Sequence, residues 1–489
     1  MLFNSFEFMV FLPIVFLLYW FVFKPRKFQN LFLVVASYIF YGWWDWRFLL
    51  LIALTSACSY ASGLLLEHYE GKRKAQKIIS ASNIVFNLLI LGVFKYYNFF
   101  VESLESLFLS LFNYHLDWVT INVILPVGIS FYTFQALSYT IDVYQKKLPA
   151  THDIVEFFAY ISFFPQLVAG PIERATNLLP QFQKDRQFDY AKAVDGCRQM
   201  LWGFFKKVVV ADNCAKGVEV IWLTYSEEPS LILILGAILF TFQIYCDFSG
   251  YSDIAIGCAR LFGINLMQNF NLPYLSRSIP EFWRRWHISL MTWFRDYIYI
   301  PLGGSRCAKW KVIRNTIIVF GISGLWHGAN WTFICWGLYH ACLIALYILI
   351  GINTKAKDII ARGKLFPSTK EFTQMFITFT LVTIGWIIFR AESIHDAEYF
   401  ISLIFNRSIT DIPNTIEHLK GLNLFTIIPA ILFLIIAEWL QREKRHALQF
   451  VGTNKFTKRV VLRFLIYIVL ALFILGNSGT ISEFIYFQF

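Results

Sequence analysis

Long apolar runs separated by short basic loops constrain this chain more than any other feature of its sequence. The first run occupies residues 1–23 and ends at a basic loop, 24–27. A helix that crosses a bilayer needs about 20 predominantly apolar residues. The pattern therefore predicts an all-α polytopic membrane protein in which residues 1–489 form a single integral membrane domain. The later apolar runs are 31–44, 48–66, 78–94, 231–245, 331–350, 372–389, 424–440 and 460–475, while 101–112 is too short to cross alone.

The composition excludes the soluble classes of protein. The chain is 57% hydrophobic and 19% aromatic, and only 15% of its residues are charged, whereas soluble domains carry about 25% charged residues. A chain of 489 residues has room for roughly ten membrane elements with their loops. The first run follows no basic n-region and precedes no small-residue cleavage site, so it is predicted to be a spanning helix and not a removable signal peptide.

The positive charge of the chain lies in loops and not on a soluble face. The formal net charge is +11, but no basic face with interleaved aromatic residues is present, so no nucleic-acid partner is predicted. Short loops rich in Lys and Arg mark the cytoplasmic side of a membrane. The loops 24–27, 72–77 and 442–459 are therefore expected in the cytoplasm. The N-terminus and the tail 477–489 are expected outside, which implies an even number of crossings.

Two stretches, 125–144 and 157–174, combine proline, glycine and hydroxyl residues with aromatic ones. Irregular backbone at membrane depth is tolerated only where it is buried in protein or lines a cavity. Both stretches are therefore predicted as re-entrant or core elements. The segment 181–212 is more polar, and its later part is predicted as an amphipathic surface helix that carries Lys206 and Lys207.

Three of the nine histidines, His287, His327 and His340, fall within residues 280–340. Ionisable side chains inside apolar segments carry a free-energy cost and usually face a protein interior or a water-filled cavity. His327 is flanked by apolar residues on both sides, and the glycines of GLWHGANW (324–331) allow a backbone or a substrate to approach it closely. His340 follows an aromatic run and is better explained as a structural residue that bonds across helices.

The sequence around His287 allows two interpretations. This residue ends the sequence RRWH, in a run of arginines and tryptophans that is typical of an interfacial helix whose arginines reach the headgroups. A functional role for His287 itself is also favoured, because the next histidine along the chain, His327, is expected inside the membrane.

Spacing disfavours both metal chemistry and a serine nucleophile. His287 and His327 have no companion carboxylate or cysteine at ligand spacing, and the eight scattered cysteines contain no CxxC pair. No GxSxG sequence occurs either. A neutral imidazole can take a proton from a hydroxyl as that hydroxyl attacks an activated acyl group, and this general-base role suits a buried histidine. No metal site is predicted.

Several stretches follow one another in a characteristic order along the chain. They are LPVGISFYTFQALSYTIDVY, FFPQLVAGPIER, QIYCDFSGYSDIAIG, FWRRWHISLMTWFRDYIYIPLGG, GLWHGANWTFICWG, WIIFRAES and the C-terminal FIYFQF. Together they resemble the membrane-bound O-acyltransferase superfamily, and more closely its bacterial branch, which includes membrane subunits that O-acetylate alginate or peptidoglycan and proteins that transfer D-alanine. The resemblance implies a helical shell with a thin, funnelled centre and re-entrant or interfacial helices.

The resemblance also implies roles for individual residues. His327 matches the invariant histidine of the superfamily, and His287 matches its partly retained second position. In the acetyltransferase branch the donor is acetyl-CoA, a cytoplasmic substrate, so no permanently bound cofactor is expected; in the D-alanyl branch an acylated carrier protein is the donor. The tail FIYFQF is similar to an F-x-Y-F-x-F motif whose tyrosine is proposed to carry the acyl group, and Tyr486 matches that tyrosine.

The resulting hypothesis is an O-acetyltransferase of the bacterial inner membrane. His327, assisted by His287, would deprotonate Tyr486, and the acetylated tyrosine would serve a periplasmic SGNH-type partner that modifies an alginate-like polysaccharide or peptidoglycan. Four alternatives stay open: transfer of D-alanine to teichoic acid, an interfacial anchoring role for the tail, a structural scaffold, and a polysaccharide transporter with histidine proton relays. The chain shows no internal repeat of the kind that transporters often have.

Overall fold

The secondary structure of the chain is helical. The structure is 74% helical, and the described residues contain no β-strand. This confirms the predicted all-α class. The chain divides into two compact units, residues 1–193 with 259–267, and residues 194–258 with 268–489. The computed structural model describes residues 1–115, 120, 125–168, 170–352, 359–408, 415, 418–419, 422–451, 460–479 and 484–485.

Several helices have the length and composition of membrane spans, which confirms the predicted polytopic architecture. Five of the described helices are long and apolar enough to cross a bilayer: Phe48–His68, Arg73–Phe112, Ser230–Leu261, Trp331–Ile350 and Thr369–Arg390. Shorter apolar helices cover Phe6–Val22, Leu424–Leu440 and Val460–Gly476. The orientation of the termini stays a prediction from the loop charges.

The first unit is assembled around one buried helix. Its helices, in chain order, are Phe6–Val22 (α1), Arg26–Gly42 (α2), Phe48–His68 (α3), Arg73–Phe112 (α4), Ile129–Tyr144 (α5), Ile154–Ser162 (α6), Phe164–Leu167 (α7) and Ala175–Phe182 (α8). Nearly every side chain of α5 is buried. Gly128 precedes α5 with φ +75°, and a Cβ there would lie 2.5 Å from the carbonyl oxygen of Leu167. The stretch 125–144 thus ends in a core helix, in agreement with its predicted core position.

One span is longer than the sequence indicates. The sequence predicts a span at 78–94 and a separate short apolar element at 101–112, and this division is wrong because both belong to α4. A π-helical turn at Gly92–Tyr96 joins them. Such a turn accommodates one extra residue without ending the helix, so the polar residues in this region do not mark a loop.

In the second part of the chain, polar caps set where several helices begin. The Ser278 side chain accepts a hydrogen bond from the Glu281 N–H, Asn330 accepts one from Thr332, and Ser368 begins a capping box, which are the usual devices for the first turn of a helix. In chain order these helices are Tyr190–Phe204 (α9), Asp212–Leu223 (α10), Ser230–Leu261 (α11), Ile279–Arg285 (α12), Ile288–Phe294 (α13), Lys309–His327 (α14), Trp331–Ile350 (α15), Thr369–Arg390 (α16), Ile394–Asn406 (α17), Leu424–Leu440 (α18) and Val460–Gly476 (α19).

The end of the predicted surface helix at 181–212 is buried, and the prediction is wrong there. Lys206 and Lys207 are only 3% and 1% exposed. Lys206 Nζ lies 2.6 Å from Asp253 Oδ2, and Lys207 Nζ lies 2.7 Å from Asp247 Oδ1. A polar face that looks suited to water therefore packs on the carboxylates of α11, because buried charges are retained only when they are paired.

Candidate active site

His327 is the last residue of α14, at the turn of a tight helical hairpin. A Cβ on Gly324 would lie 2.3 Å from the carbonyl oxygen of Phe333, and a Cβ on Gly337 would lie 2.2 Å from that of Phe320. These distances mean that α14 and α15 meet backbone to backbone, which only glycine permits. The glycine at 324 thus serves the close backbone approach that the sequence suggested. The hairpin fixes the position of His327 through the main chain.

Aromatic rings enclose the His327 side chain, which is 3% exposed. Its ring centroid lies 4.9 Å from that of Trp326, 5.0 Å from Trp336 and 5.4 Å from Phe389, with each pair close to edge-to-face. We call α14 and α15, with these enclosing rings, the aromatic hairpin. The rings therefore keep water away from the imidazole.

His287 lies between the short helices α12 and α13 and is held by hydrogen bonds. Its Nδ1 is 3.0 Å from Asn269 Oδ1, which also accepts from the Ser289 hydroxyl at 2.9 Å. The Ser289 backbone N–H points to the same oxygen at 3.4 Å, and because an N–H can only donate, this identifies the atom as the amide oxygen. We call His287, Asn269 and Ser289 the polar socket.

The polar socket fixes the tautomer of His287, and burial keeps its ring neutral. Because Asn269 Oδ1 is an acceptor, the proton of the neutral ring lies on Nδ1, and Nε2 carries the lone pair. Among the described residues Nε2 has no hydrogen-bond partner. Burial lowers the pKa of His287 to about 3, so the ring is neutral near pH 7. Its Nε2 therefore carries a lone pair that can accept a hydrogen bond.

The indole of Trp326 contacts both His287 and His327. The Trp326 ring centroid lies 5.8 Å from that of His287 and 4.9 Å from that of His327. The structure thus brings the aromatic hairpin and the polar socket together around Trp326. The interfacial interpretation of the run around His287 does not describe this residue, which is 1% exposed.

His340 lies further along α15, where it packs as a flat aromatic group. Its ring is fully buried, with centroid distances of 5.0 Å to Trp283 and 5.4 Å to Trp336. Within the described ranges neither ring nitrogen has a hydrogen-bond partner. The expected structural role is therefore filled by ring packing, and the expected bond across helices is not made to any described residue.

Part of the C-terminal tail is separated from His287 by one side chain, that of Phe248. Tyr486 is outside the described residues, but the two residues before it are described and buried. The Phe484 ring centroid lies 4.5 Å from Tyr251 and 5.8 Å from Phe248, and the Phe248 ring lies 4.7 Å from His287. The tail therefore reaches a side chain that contacts the polar socket.

A buried ionic cluster supports this part of the tail. The Ile485 N–H donates to Asp247 Oδ2 at 2.7 Å, and Lys207 Nζ lies 2.7 Å from Asp247 Oδ1 and 2.8 Å from Asp212 Oδ1. Burial lowers the pKa of Lys207, but the two carboxylates reverse that effect and raise it overall. Lys207 therefore stays charged. No pattern in the sequence indicates that Asp247 and Ile485 are partners.

A polar pocket adjoins the socket. Its lining includes Asn269 together with Lys206, Lys444 and Arg445. The last two residues belong to the loop 442–459, which the charge pattern predicts to be cytoplasmic and of which residues 452–459 lie outside the described ranges. No group of three or more His, Cys, Asp or Glu residues in the described parts of the chain is arranged to hold a metal ion.

Comparison with known proteins reveals one family. Residues 38–358 match the MBOAT, membrane-bound O-acyltransferase family. The chain is 40% identical to the probable alginate O-acetylase AlgI of Pseudomonas aeruginosa, over 89% of this chain and 81% of that protein. It is 34% identical to a peptidoglycan O-acetyltransferase of Helicobacter pylori, over 81% and 78% of the two chains. It is 30% identical to a teichoic acid D-alanyltransferase of Bacillus subtilis, over 56% and 71%.

Proposed function

Because this chain belongs to the membrane-bound O-acyltransferase family and is an O-acyltransferase, we propose that it passes an acetyl group from cytoplasmic acetyl-CoA towards an extracytoplasmic polysaccharide. The observation that carries this proposal is the convergence of two buried histidines and the C-terminal tail. Trp326 contacts both His287 and His327, and Phe248 contacts both His287 and Phe484. An acyl group bound at this point lies within reach of a base and of the tail.

Two observations support acetyl over D-alanyl as the group transferred. The similarity to the two O-acetylases extends over 89% and 81% of this chain, against 56% for the D-alanyltransferase. The rings around His327 also suit a neutral acetyl group, whereas the ammonium of D-alanine loses its hydration there at a large free-energy cost. The family match is to acyltransferases, and neither a transporter function nor a scaffold function would explain it.

In the proposed reaction, Tyr486 is the first acceptor. His327 takes the proton from the Tyr486 hydroxyl, whose ordinary pKa of about 10 makes it a weak nucleophile without a base. The phenolate oxygen bonds to the thioester carbonyl carbon, the carbon–sulfur bond breaks, and the CoA thiolate takes the proton from the imidazolium. His287 assists as a second neutral imidazole, with its unprotonated Nε2 available.

The charge pattern supports a cytoplasmic approach for the donor. Lys444 and Arg445 line the same pocket as Asn269, and cationic side chains bind phosphate groups such as those of CoA. The tail is predicted to lie on the opposite side of the membrane. The chain would lie in the bacterial inner membrane, and the Tyr486 ester would then deliver the acetyl group to a periplasmic SGNH-type partner.

The relatives suggest the final acceptor. Two relatives that match more than 80% of this chain bear names that refer to alginate and to peptidoglycan. We propose that the acceptor is an alginate-like polysaccharide or peptidoglycan. Acetyl content of the two polymers, measured by mass spectrometry in a strain with and without this chain, discriminates between them, and an unchanged content in both contradicts the proposal.

Mass spectrometry of the C-terminal peptide tests the relay directly. After the purified chain is incubated with acetyl-CoA, we expect one acetyl group on Tyr486, and none in His327→Ala. The control Tyr486→Phe keeps the aromatic ring and removes the acceptor oxygen. Normal acetylation of the polymer by Tyr486→Phe would rule out the relay, while leaving the assignment to the acyltransferase family intact.

A further inference from the structure

The middle of α11 presents three side chains to the C-terminal tail. Asp247 Oδ2 accepts from the Ile485 N–H at 2.7 Å, while Phe248 and Tyr251 contact the Phe484 ring. Both tail residues are buried, at 0% and 2% exposed. The backbone bond and the ring contacts fall within one turn of α11. They form a small docking site for an extended segment of chain with an aromatic side chain.

The chemistry of Asp247 suits it to bind a backbone N–H. Its Oδ1 faces Lys207, and its Oδ2 faces the tail. Lys207 is shared with Asp212, so its positive charge does not serve Asp247 alone. A hydrogen bond from an N–H to a carboxylate is roughly twice as strong as one between neutral groups, and the buried position strengthens it further.

A second contact restrains the start of the tail. The Asn213 side-chain amide donates to Asn477 Oδ1 at 3.0 Å, just after α19 ends. The tail is thus held at 477 and again at 485.

We propose that Asp247 is a positioning residue that docks the chain's own C-terminal segment beside His287, by accepting the Ile485 N–H on the oxygen that Lys207 leaves available. This inference rests on the proposed carrier role of the tail for its significance, but its test requires neither a donor nor an acceptor. Without the docking bond the tail leaves the site, and Tyr486 no longer meets the histidines.

Hydrogen exchange at the Ile485 amide of the full-length chain in detergent tests the docking bond, because exchange reports local opening. We expect Asp247→Ala to raise the exchange rate of this amide by about tenfold or more, since a hydrogen bond to a charged group is lost. Asp247→Asn keeps an acceptor oxygen of similar shape and should raise it less. Unchanged exchange in Asp247→Ala overturns the proposal.

Asp253→Ala is the matched control. Asp253 lies on the same helix, is paired with the neighbouring Lys206 at 2.6 Å, and accepts from Gln199 at 2.7 Å. Its loss disturbs an equivalent buried ion pair without touching the tail. We expect no change in exchange at Ile485. An increase equal to that in Asp247→Ala would mean that general loosening, and not docking, explains the result.

A variant in the tail itself keeps the proposal testable if the Asp247 variants fail to fold. Ile485→Pro removes the donated N–H and leaves the ionic cluster intact. The control, Ile485→Val, keeps the N–H. We expect carboxypeptidase A to release the three residues after Tyr486 about tenfold faster from the proline variant than from the valine variant, by the same lost bond. Equal release rates contradict docking. Docking that is confirmed while Tyr486→Phe still transfers acetyl normally contradicts only the relay.

Discussion

The aromatic hairpin and the polar socket hold their buried histidines by different means. In the hairpin, glycine contacts between α14 and α15 place the main chain at His327, and aromatic rings surround the side chain. In the socket, Asn269 and Ser289 bind His287 through hydrogen bonds that fix its tautomer. The hairpin thus determines where the proposed base, His327, lies, and the socket determines which nitrogen of His287 carries the proton. Substitutions in the two regions should therefore differ in kind.

The largest effect is expected when His327, the proposed general base in the aromatic hairpin, is replaced. His327→Ala should lower acetyl transfer from acetyl-CoA by about a thousandfold, because a positioned general base contributes roughly 10²–10⁴-fold to rate. His327→Gln, which retains more of the side-chain volume, is the control for packing and should be equally inactive. Initial rates measured with labelled acetyl-CoA decide this, and a rate within tenfold of the native one would refute the role of His327 as the base.

A smaller loss is expected in the polar socket. Asn269→Ala leaves His287 in place but frees its tautomer, so transfer should fall by roughly tenfold to a hundredfold, less than the loss of the base itself. Ser252→Ala is the matched control, since Ser252 contacts the other end of the same amide, Asn269 Nδ2, at 3.1 Å. Equal rates in both variants and the native chain would show that the socket is not part of the catalytic site.

Two glycines on α14 separate backbone contact from helix propensity. A Cβ on Gly324 would lie 2.3 Å from the Phe333 carbonyl oxygen, whereas on Gly321 its nearest neighbour would be 4.0 Å away. Gly324→Ala should destabilise the chain by about 1–3 kcal/mol through overpacking. Gly321→Ala should be neutral or stabilise it by up to about 1 kcal/mol. Thermal unfolding in detergent measures both, and equal melting temperatures would contradict the close approach of the two helices.

The pH dependence of stability gives a separate measure of the socket. His287 takes up a proton near pH 6.5 in the unfolded chain but only near pH 3 in the folded one. Its contribution is therefore fully present above pH 6.5 and is lost as pH falls towards 3, with a slope of up to about 1.4 kcal/mol per pH unit. His287→Gln should flatten this part of the profile, measured as melting temperature against pH. An identical slope in the variant would contradict the buried neutral state.

The sequence predicted the elements that depend on local pattern. The apolar runs identified the all-α polytopic class, and the proline- and glycine-containing stretch 125–144 identified a core element. The close approach of two backbones beside His327 also followed from the neighbouring glycine at 324. Each of these features depends on residues that lie within about 20 positions of one another, which is the length of one spanning helix.

The elements that the sequence missed depend on distant partners. Lys206 and Lys207 look like a solvated face because a lysine paired across helices has the same local pattern as one in water. Asp247 and Ile485 are 238 positions apart, and no periodicity relates them. Asn269 belongs to no motif, and its role is visible only because the fold places its amide oxygen beside His287.

The smallest effect is expected at His340, which tests whether burial alone makes a histidine functional. His340→Phe keeps the ring contacts with Trp283 and Trp336. A swap of similar volume costs less than about 1.5 kcal/mol, so the melting temperature should fall slightly and the rate of acetyl transfer should stay close to the native one. The paired control is His287→Phe, which also keeps a buried ring but removes Nε2 and the bond to Asn269. If His340→Phe loses as much activity as His287→Phe, ring packing and not the hydrogen-bonded tautomer explains both, and the distinction between the two regions fails.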